Sequence, residues 1–192
     1  MEIVFATNNA NKLSEIQSLI PDGIEILSLR DINCNEELPE TNLTLERNAL
    51  QKAKFVFDNY GYNCFADDTG LEIDALGGEP GVCSARYAGE ACKAEDNMRK
   101  VLDKLKGEEV RSAKFRTVIA LIINGKETLF EGKCNGSITK IKNGVEGFGY
   151  DPVFRPFGYD LTFAEMTKAE KGAISHRGKA VEKLILFLAA TD

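Results

Sequence analysis

The sequence has no tryptophan, one histidine, five prolines and five cysteines in 192 residues. Each shortage excludes something. A single histidine and no C-x-x-C spacing leave no ligand set for zinc. The lone histidine has no nucleophile beside it, so a Ser–His–Asp hydrolase is a poor fit. The cysteines, Cys34, Cys64, Cys83, Cys92 and Cys134, are odd in number and scattered. They predict reduced thiols serving as small core residues, and a cytoplasmic protein. No apolar run approaches the roughly 20 residues that cross a bilayer, so no membrane partner is expected. The opening Met1-Glu2-Ile3-Val4-Phe5-Ala6-Thr7 reads as a strand and carries no basic, export-type start. Positive charge is also short: the formal net charge is −6, whereas a general nucleic-acid binder needs a dominant basic face. A small polyphosphate remains possible, held by a few lysines and by a divalent ion bridging it to carboxylates.

Hydrophobic residues make up 43% of the chain, enough to fill a core. No repeat, low-complexity tract or linker-like run interrupts it, and the length suits one domain, 1–192, or two closely packed lobes. Periodicity predicts strands at Ile3 to Ala6, Ile24 to Leu29 and Asn63 to Ala66. Val118 to Ile123 reads as a buried strand, turned by Asn124-Gly125 into a hairpin partner over Glu127 to Ile138. Helical spacing covers Asn9 to Ile20, Thr44 to Tyr60, Glu95 to Leu105, and a final segment marked by Val181, Leu184, Ile185 and Leu188. Alternating strands and helices plus one hairpin predict an α/β fold with a mixed sheet.

Five segments can carry chemistry. Thr7-Asn8-Asn9-Ala10-Asn11-Lys12 joins a strand to a helix start, where backbone N–H groups and a lysine suit an anion. The same residues also read as a capped helix with an exposed lysine. Glu40, Asp67 and Asp68 form an acidic set suited to Mg²⁺, and the aspartate pair equally suits an Asx-turn at a strand end. On the long helix Asn48 and Lys52 are four apart and share a face. Gly144-Val145-Glu146-Gly147-Phe148-Gly149-Tyr150-Asp151-Pro152 interleaves glycines with two rings that can stack on a base or cover a core edge. Lys171 and Ser175-His176-Arg177 place cations at the start of the last helix. That placement is unfavourable unless an anion or acceptor compensates. Gly77 to Tyr87 is an ordered loop whose Arg86 can reach a phosphate, a carboxylate or a second subunit.

Taken in order, these segments resemble the inosine triphosphate pyrophosphatase (Ham1-like) family. The matching pieces are Thr7-x-Asn9-x-x-Lys12, Glu40-Thr41 with Asn48-Ala49 and Lys52-Ala53, and Ala66-Asp67-Asp68-Thr69-Gly70-Leu71. They continue through Pro80-Gly81 with Ser84-Ala85-Arg86-Tyr87, Gly147-Phe148-Gly149-Tyr150-Asp151-Pro152, and Lys171 with Ile174-Ser175-His176-Arg177-Gly178. Each piece alone is weak; six in order, spanning residues 7 to 178, are specific. Asn8 stands where many members have glycine, and Thr69 where many have serine.

The resemblance implies an elongated α/β structure with a long mixed sheet and two lobes around a nucleotide cleft, and a homodimer. It also implies Mg²⁺-dependent hydrolysis of deaminated purine nucleoside triphosphates (dITP, ITP, XTP) to monophosphate and pyrophosphate. On that reading Thr7, Asn9, Lys12, Lys52 and Lys171 hold the phosphates, Asn8 is a further substrate contact, and Glu40, Asp67 and Asp68 are the metal-site acids. Asp68 is the candidate to orient or deprotonate the attacking water, with the division of labour between the two aspartates open. Thr69, Phe148, Gly149, Tyr150, Asp151, His176 and Arg177 complete the substrate contacts. Two rival readings are a phosphatase with an aspartyl nucleophile, disfavoured because D-x-D spacing is absent, and a nucleotide-binding module without turnover.

Overall fold

The computed structural model describes residues 1–190. Seven strands form one mixed sheet: β1 (Glu2–Phe5), β2 (Glu25–Leu27), β3 (Cys64–Ile73), β4 (Pro80–Gly81), β5 (Ser112–Ile123), β6 (Lys126–Ile138) and β7 (Phe154–Pro156). Their order is β2-β1-β3-β5-β6-β7, with β4 on β3. β1 runs parallel to β2 and β3, while β3–β4 and β6–β7 are antiparallel. The helices are α1 (Ala10–Gln17), α2 (Leu45–Tyr60), α3 (Ala94–Lys104), α4 (Lys168–Ile174) and α5 (His176–Ala189). The α/β class and mixed sheet are those expected.

The chain divides into two compact units. The first comprises residues 1–68, 117–132 and 177 onward; the second comprises 69–116 and 133–176. In the first unit the strands are apolar on both faces because helices cover both. Val4, Ala6, Cys64, Ala66, Ala120 and Ile122 pack with Ala49, Ala53 and Val56 of α2. The alternate residues, Ile3, Phe5, Phe65, Ile119 and Leu121, pack with Ile16 of α1 and with Ala180, Val181, Leu184 and Leu188 of α5. The period of two along each strand sorts these side chains between the layers. Each large apolar side chain so buried contributes about 1.5–3 kcal/mol.

α2 is tightly delimited. Thr44 Oγ1 accepts from the Arg47 N–H, and Gly61, at φ 73°, closes the helix in the left-handed region. Asn9 caps α1 by accepting from the N–H groups of Asn11 and Lys12. In the second unit Leu71, Ile73, Met98, Val101, Phe115, Ile138, Phe154 and Phe163 belong to a single core.

Several features depart from the sequence reading: α4, β4 and β7 had no counterpart in it, and α1 stops at Gln17, short of the expected Ile20. β3 does not stop before the aspartates; it runs through Asp67-Asp68-Thr69-Gly70 to Ile73, so the pair is extended strand and not an Asx-turn. Polar residues conceal strand periodicity when their partners lie elsewhere in the chain. β5 likewise begins six residues before the predicted apolar run. Cys34, Cys64 and Cys134 are buried as expected, while Cys83 and Cys92 are exposed; all five are free thiols.

Candidate active site

In the first unit, β3 carries Asp67 and Asp68 where helices α1, α2 and α5 bring their cations. Lys12, in the first turn of α1, places Nζ 2.9 Å from Asp67 Oδ1. Arg177, at the start of α5, donates from Nε to Asp67 Oδ2 at 3.1 Å and from Nη1 to Glu15 Oε2 at 2.5 Å. Lys52 of α2 donates to the Asp67 carbonyl at 2.7 Å and to Glu40, and lies 3.8 Å from Asp68 Oδ1. Asn48, one turn before Lys52, donates to Asp68 Oδ2 at 3.1 Å. Asn48 and Lys52 share a face, as their spacing predicted, and the structure turns that face toward the aspartates.

The two neighbouring aspartates are driven in opposite directions. Burial raises the Asp68 carboxyl above its ordinary value, against the opposing pull of Lys52 and Lys12. Burial also works to raise Asp67, but Lys12, Arg177 and Lys52 together outweigh it and hold that carboxyl far below the usual range. Lys12 is lowered, first by desolvation and then by its cationic neighbours Lys52 and Arg177, despite the attraction of Asp67. Lys52 overcomes its desolvation through Asp68, Glu40 and Asp67 and is raised.

This arrangement bears on the metal reading. Both Asp67 carboxylate oxygens face protein cations, at 2.9 and 3.1 Å, and the residue has no solvent exposure. Its donor atoms do not suit a divalent ion. Glu40 and Asp68 do suit one: both are hard oxygen donors set around the same Lys52 ammonium, and Glu40 is partly exposed. Among the described residues no three of His, Cys, Asp and Glu gather into a metal-binding group. Two carboxylates are nonetheless enough for Mg²⁺, which keeps waters and takes substrate phosphates as further ligands.

The loop before α1 is partly committed to structure. Thr7 Oγ1 accepts from the Asn9 N–H at 3.2 Å. Asn8 accepts from the Leu38 N–H and donates to the Glu36 carbonyl, tying down the segment that leads to Glu40.

The second unit holds a separate group. Lys171 of α4 is buried, with Nζ 2.6 Å from Asp151 Oδ2 and 5.1 Å from the centre of the Phe148 ring. Asp151 also accepts from the Phe148 N–H at 2.8 Å. Gly147, at φ 75°, makes this possible, since a Cβ there would meet Asp151 Oδ2 at 2.1 Å. Gly149 follows at φ 65°. Of the two rings expected to flank a base, only Phe148 is half-exposed; Tyr150 is buried in the core and donates its hydroxyl to the Ser84 carbonyl at 2.8 Å. Thr69 is half-buried in β3, and Arg86 is half-buried at the end of a short 3-10 turn, Ser84–Arg86. His176 is buried and stacked on Phe115, ring centres 4.5 Å apart and planes 15° from parallel.

Sequence reasoning did not single out Glu15 or Phe115. Glu15 had a faint signal, its i,i+3 spacing from Lys12. Phe115 had none, because it lies in the half of β5 that the apolar pattern missed.

A protein-family model described as the Ham1 family matches residues 3–187. The dITP/XTP pyrophosphatase of Flavobacterium johnsoniae is 57% identical over 191 residues, covering 100% of both chains. The dITP/XTP pyrophosphatase of Bacillus subtilis is 45% identical over 193 residues, covering 98% of each. Among solved structures, the Ham1 protein of Staphylococcus aureus matches with a TM-score of 0.89 at 38% identity, over 100% of both chains. A HAM1 protein from Coxiella burnetii matches with a TM-score of 0.90 at 38% identity, over 99% of each.

Proposed function

The chain belongs to the Ham1 family, and on that premise we propose that it hydrolyses nucleoside triphosphates carrying deaminated purines, dITP, ITP and XTP, to the monophosphate and pyrophosphate. The observation that carries this reading is the pair Asp67–Asp68. Two adjacent carboxyls are set apart by their surroundings, one locked as an anion among three cations, the other raised by burial beside Asn48 and Lys52. Such a separation is how acid–base roles are assigned to like groups.

In the proposed reaction water attacks the α-phosphorus, and the bond from that phosphorus to the bridging oxygen breaks. Pyrophosphate leaves with the bond electrons. Asp68, the carboxylate held by Asn48 beside Lys52, accepts the proton of the attacking water. Lys12 and Lys52, with Thr7, Asn9 and the first turn of α1, face the charge that builds on the phosphate oxygens. Glu40 and Asp68 would hold Mg²⁺, which when bound supplies further neutralisation of the triphosphate. Asp67 is assigned to holding Lys12 and Arg177, in place of the ligand role its sequence position suggested. Its occupied oxygens also disfavour it as the nucleophile of an aspartyl phosphatase.

By the family resemblance Lys171 and the Phe148–Gly149 backbone are proposed as substrate contacts, with Asp151 and Tyr150 as their supports. His176 and Arg177 are assigned to the base. Hypoxanthine and xanthine present a 6-oxo acceptor where adenine presents an amino donor, and arginine is donor-only. An unmatched buried pair of this kind discriminates by about 10⁴ or more. Guanine shares the 6-oxo group, so its rejection must act on its 2-amino group. The proposal extends to a Mg²⁺-dependent cytoplasmic homodimer, the assembly that the family resemblance implies.

The test is product analysis with dITP, ITP, XTP, ATP and GTP in Mg²⁺. Pyrophosphate from the first three, well ahead of the last two, is the expected outcome. Orthophosphate as product, or equal rates on all five, overturns it.

A further inference from the structure

Lys12 and Glu15 are three residues apart on α1 and so lie on one face of that helix. Across from them stand Asp67 of β3 and Arg177 of α5, all within the first unit. The four side chains form one chain of alternating charge. Glu15 meets Arg177 at 2.5 Å, Arg177 meets Asp67 at 3.1 Å, and Asp67 meets Lys12 at 2.9 Å. Arg177 is among the largest fully buried side chains of the protein, and the Glu15 side chain is only 17% exposed.

A guanidinium is a rigid planar fork. Asp67 holds it at Nε and Glu15 at Nη1, and two grips at different nitrogens fix both its position and the rotation of its plane. Loss of the Glu15 grip favours rotation of the fork toward a two-bond grip on Asp67, in competition with Lys12. A donor that must distinguish an oxo group from an amino group needs its aim held within about 10–20°. Glu15 supplies a grip at Nη1 that is distinct from the one Asp67 makes at Nε.

We propose that Glu15 is a positioning residue for substrate selection, acting through its buried ion pair with Arg177. The inference rests on the reading of Arg177 as a residue that recognises the base. Glu15 itself does not touch substrate.

The experiment measures kcat/KM for ITP and for ATP with Mg²⁺ in wild type, Glu15→Ala, Glu15→Gln, Arg177→Ala and the Glu15→Ala/Arg177→Ala double variant. Thermal melts report folding for each. Arg177→Ala is expected to collapse the ITP-over-ATP preference. Glu15→Ala narrows it by about tenfold, and Glu15→Gln, which keeps an acceptor oxygen, narrows it less. The double variant narrows it no further than Arg177→Ala, because coupled residues are not additive. A merely structural role lowers both substrates in proportion and leaves their ratio unchanged; that result overturns the proposal. An intact ratio in Glu15→Ala beside a collapsed one in Arg177→Ala sinks the Glu15 inference alone. An intact ratio in Arg177→Ala sinks the base-reading role and this inference with it. Failure of both Glu15 variants to fold marks the residue as structural and also overturns it.

Discussion

At the scale of the residue, Asp67 and Asp68 have the same side chain one position apart and opposite energetics. Asp67 is held below its unfolded value by Lys12, Arg177 and Lys52. Its contribution to stability is therefore present above the unfolded carboxyl pKa, near 4, and is lost as pH falls toward the folded value. Asp67→Asn leaves Lys12 and Arg177 without their shared anion and should cost about 3–5 kcal/mol at pH 7. Chemical denaturation at pH 7 and pH 3 checks this, with the gap between variant and wild type narrower at pH 3. Asp68 has the opposite sign. Burial raises its folded pKa, so its favourable contribution is present below the unfolded value and lost as pH rises through the folded one. Asp68→Asn removes a desolvated charge while keeping an acceptor for Asn48. Its melting temperature in EDTA at pH 7 should equal or exceed wild type, while turnover falls by about 10² or more. A variant that melts early would make Asp68 a structural residue.

At the scale of the element, the positions of the cations follow from how each helix starts. Asn9 and Thr44 fix where α1 and α2 begin, and so where Lys12, Glu15, Asn48 and Lys52 fall around each helix. Thr44→Ala should cost about 1 kcal/mol, readable by urea denaturation. The loop before Asp151 depends on one glycine in the same way. A methyl group at Gly147 would both strain a φ of 75° and displace the Asp151 carboxylate that holds Lys171 and the Phe148 N–H. Gly147→Ala should therefore raise KM for ITP more than it lowers kcat. A change confined to kcat would show that this loop does not hold the ground-state substrate.

At the scale of the whole molecule, the charge balance sets what the protein needs from its solvent. On the proposed function a chain of net charge −6 takes a polyanion at a site whose carboxylates Glu40 and Asp68 stand around Lys52. Like charges at that range require a divalent ion between them. EDTA should abolish pyrophosphate release, and excess Mg²⁺ should restore it; turnover that persists in EDTA would remove the metal from the proposal. The wide distribution of the candidate site residues, from Thr7 to Arg177, has a related consequence. Each unit draws on separate stretches of chain, so neither is a contiguous segment that can be excised.

Local signals, which need no knowledge of distant contacts, made much of this legible. The apolar period gave α1, α2, α3, α5 and the core of β1, and the caps Asn9 and Thr44 are short-range chemistry. The spacing of Asn48 and Lys52 told which helix face mattered. What the amino-acid order determined alone was therefore the α/β class, the existence of α1, α2, α3 and α5 with the limits of α2, and the residue types of the candidate site; α4 was not legible in it. The tertiary structure decided that β3 runs on through its acidic pair, that Tyr150 is a core residue, and that Asp67 belongs to Lys12 and Arg177. It also supplied Glu15 as the partner of a residue 162 positions away. The reason is physical: a buried charge is defined by the groups that neutralise it, and those groups are chosen by how the helices pack on the sheet, which no local pattern encodes.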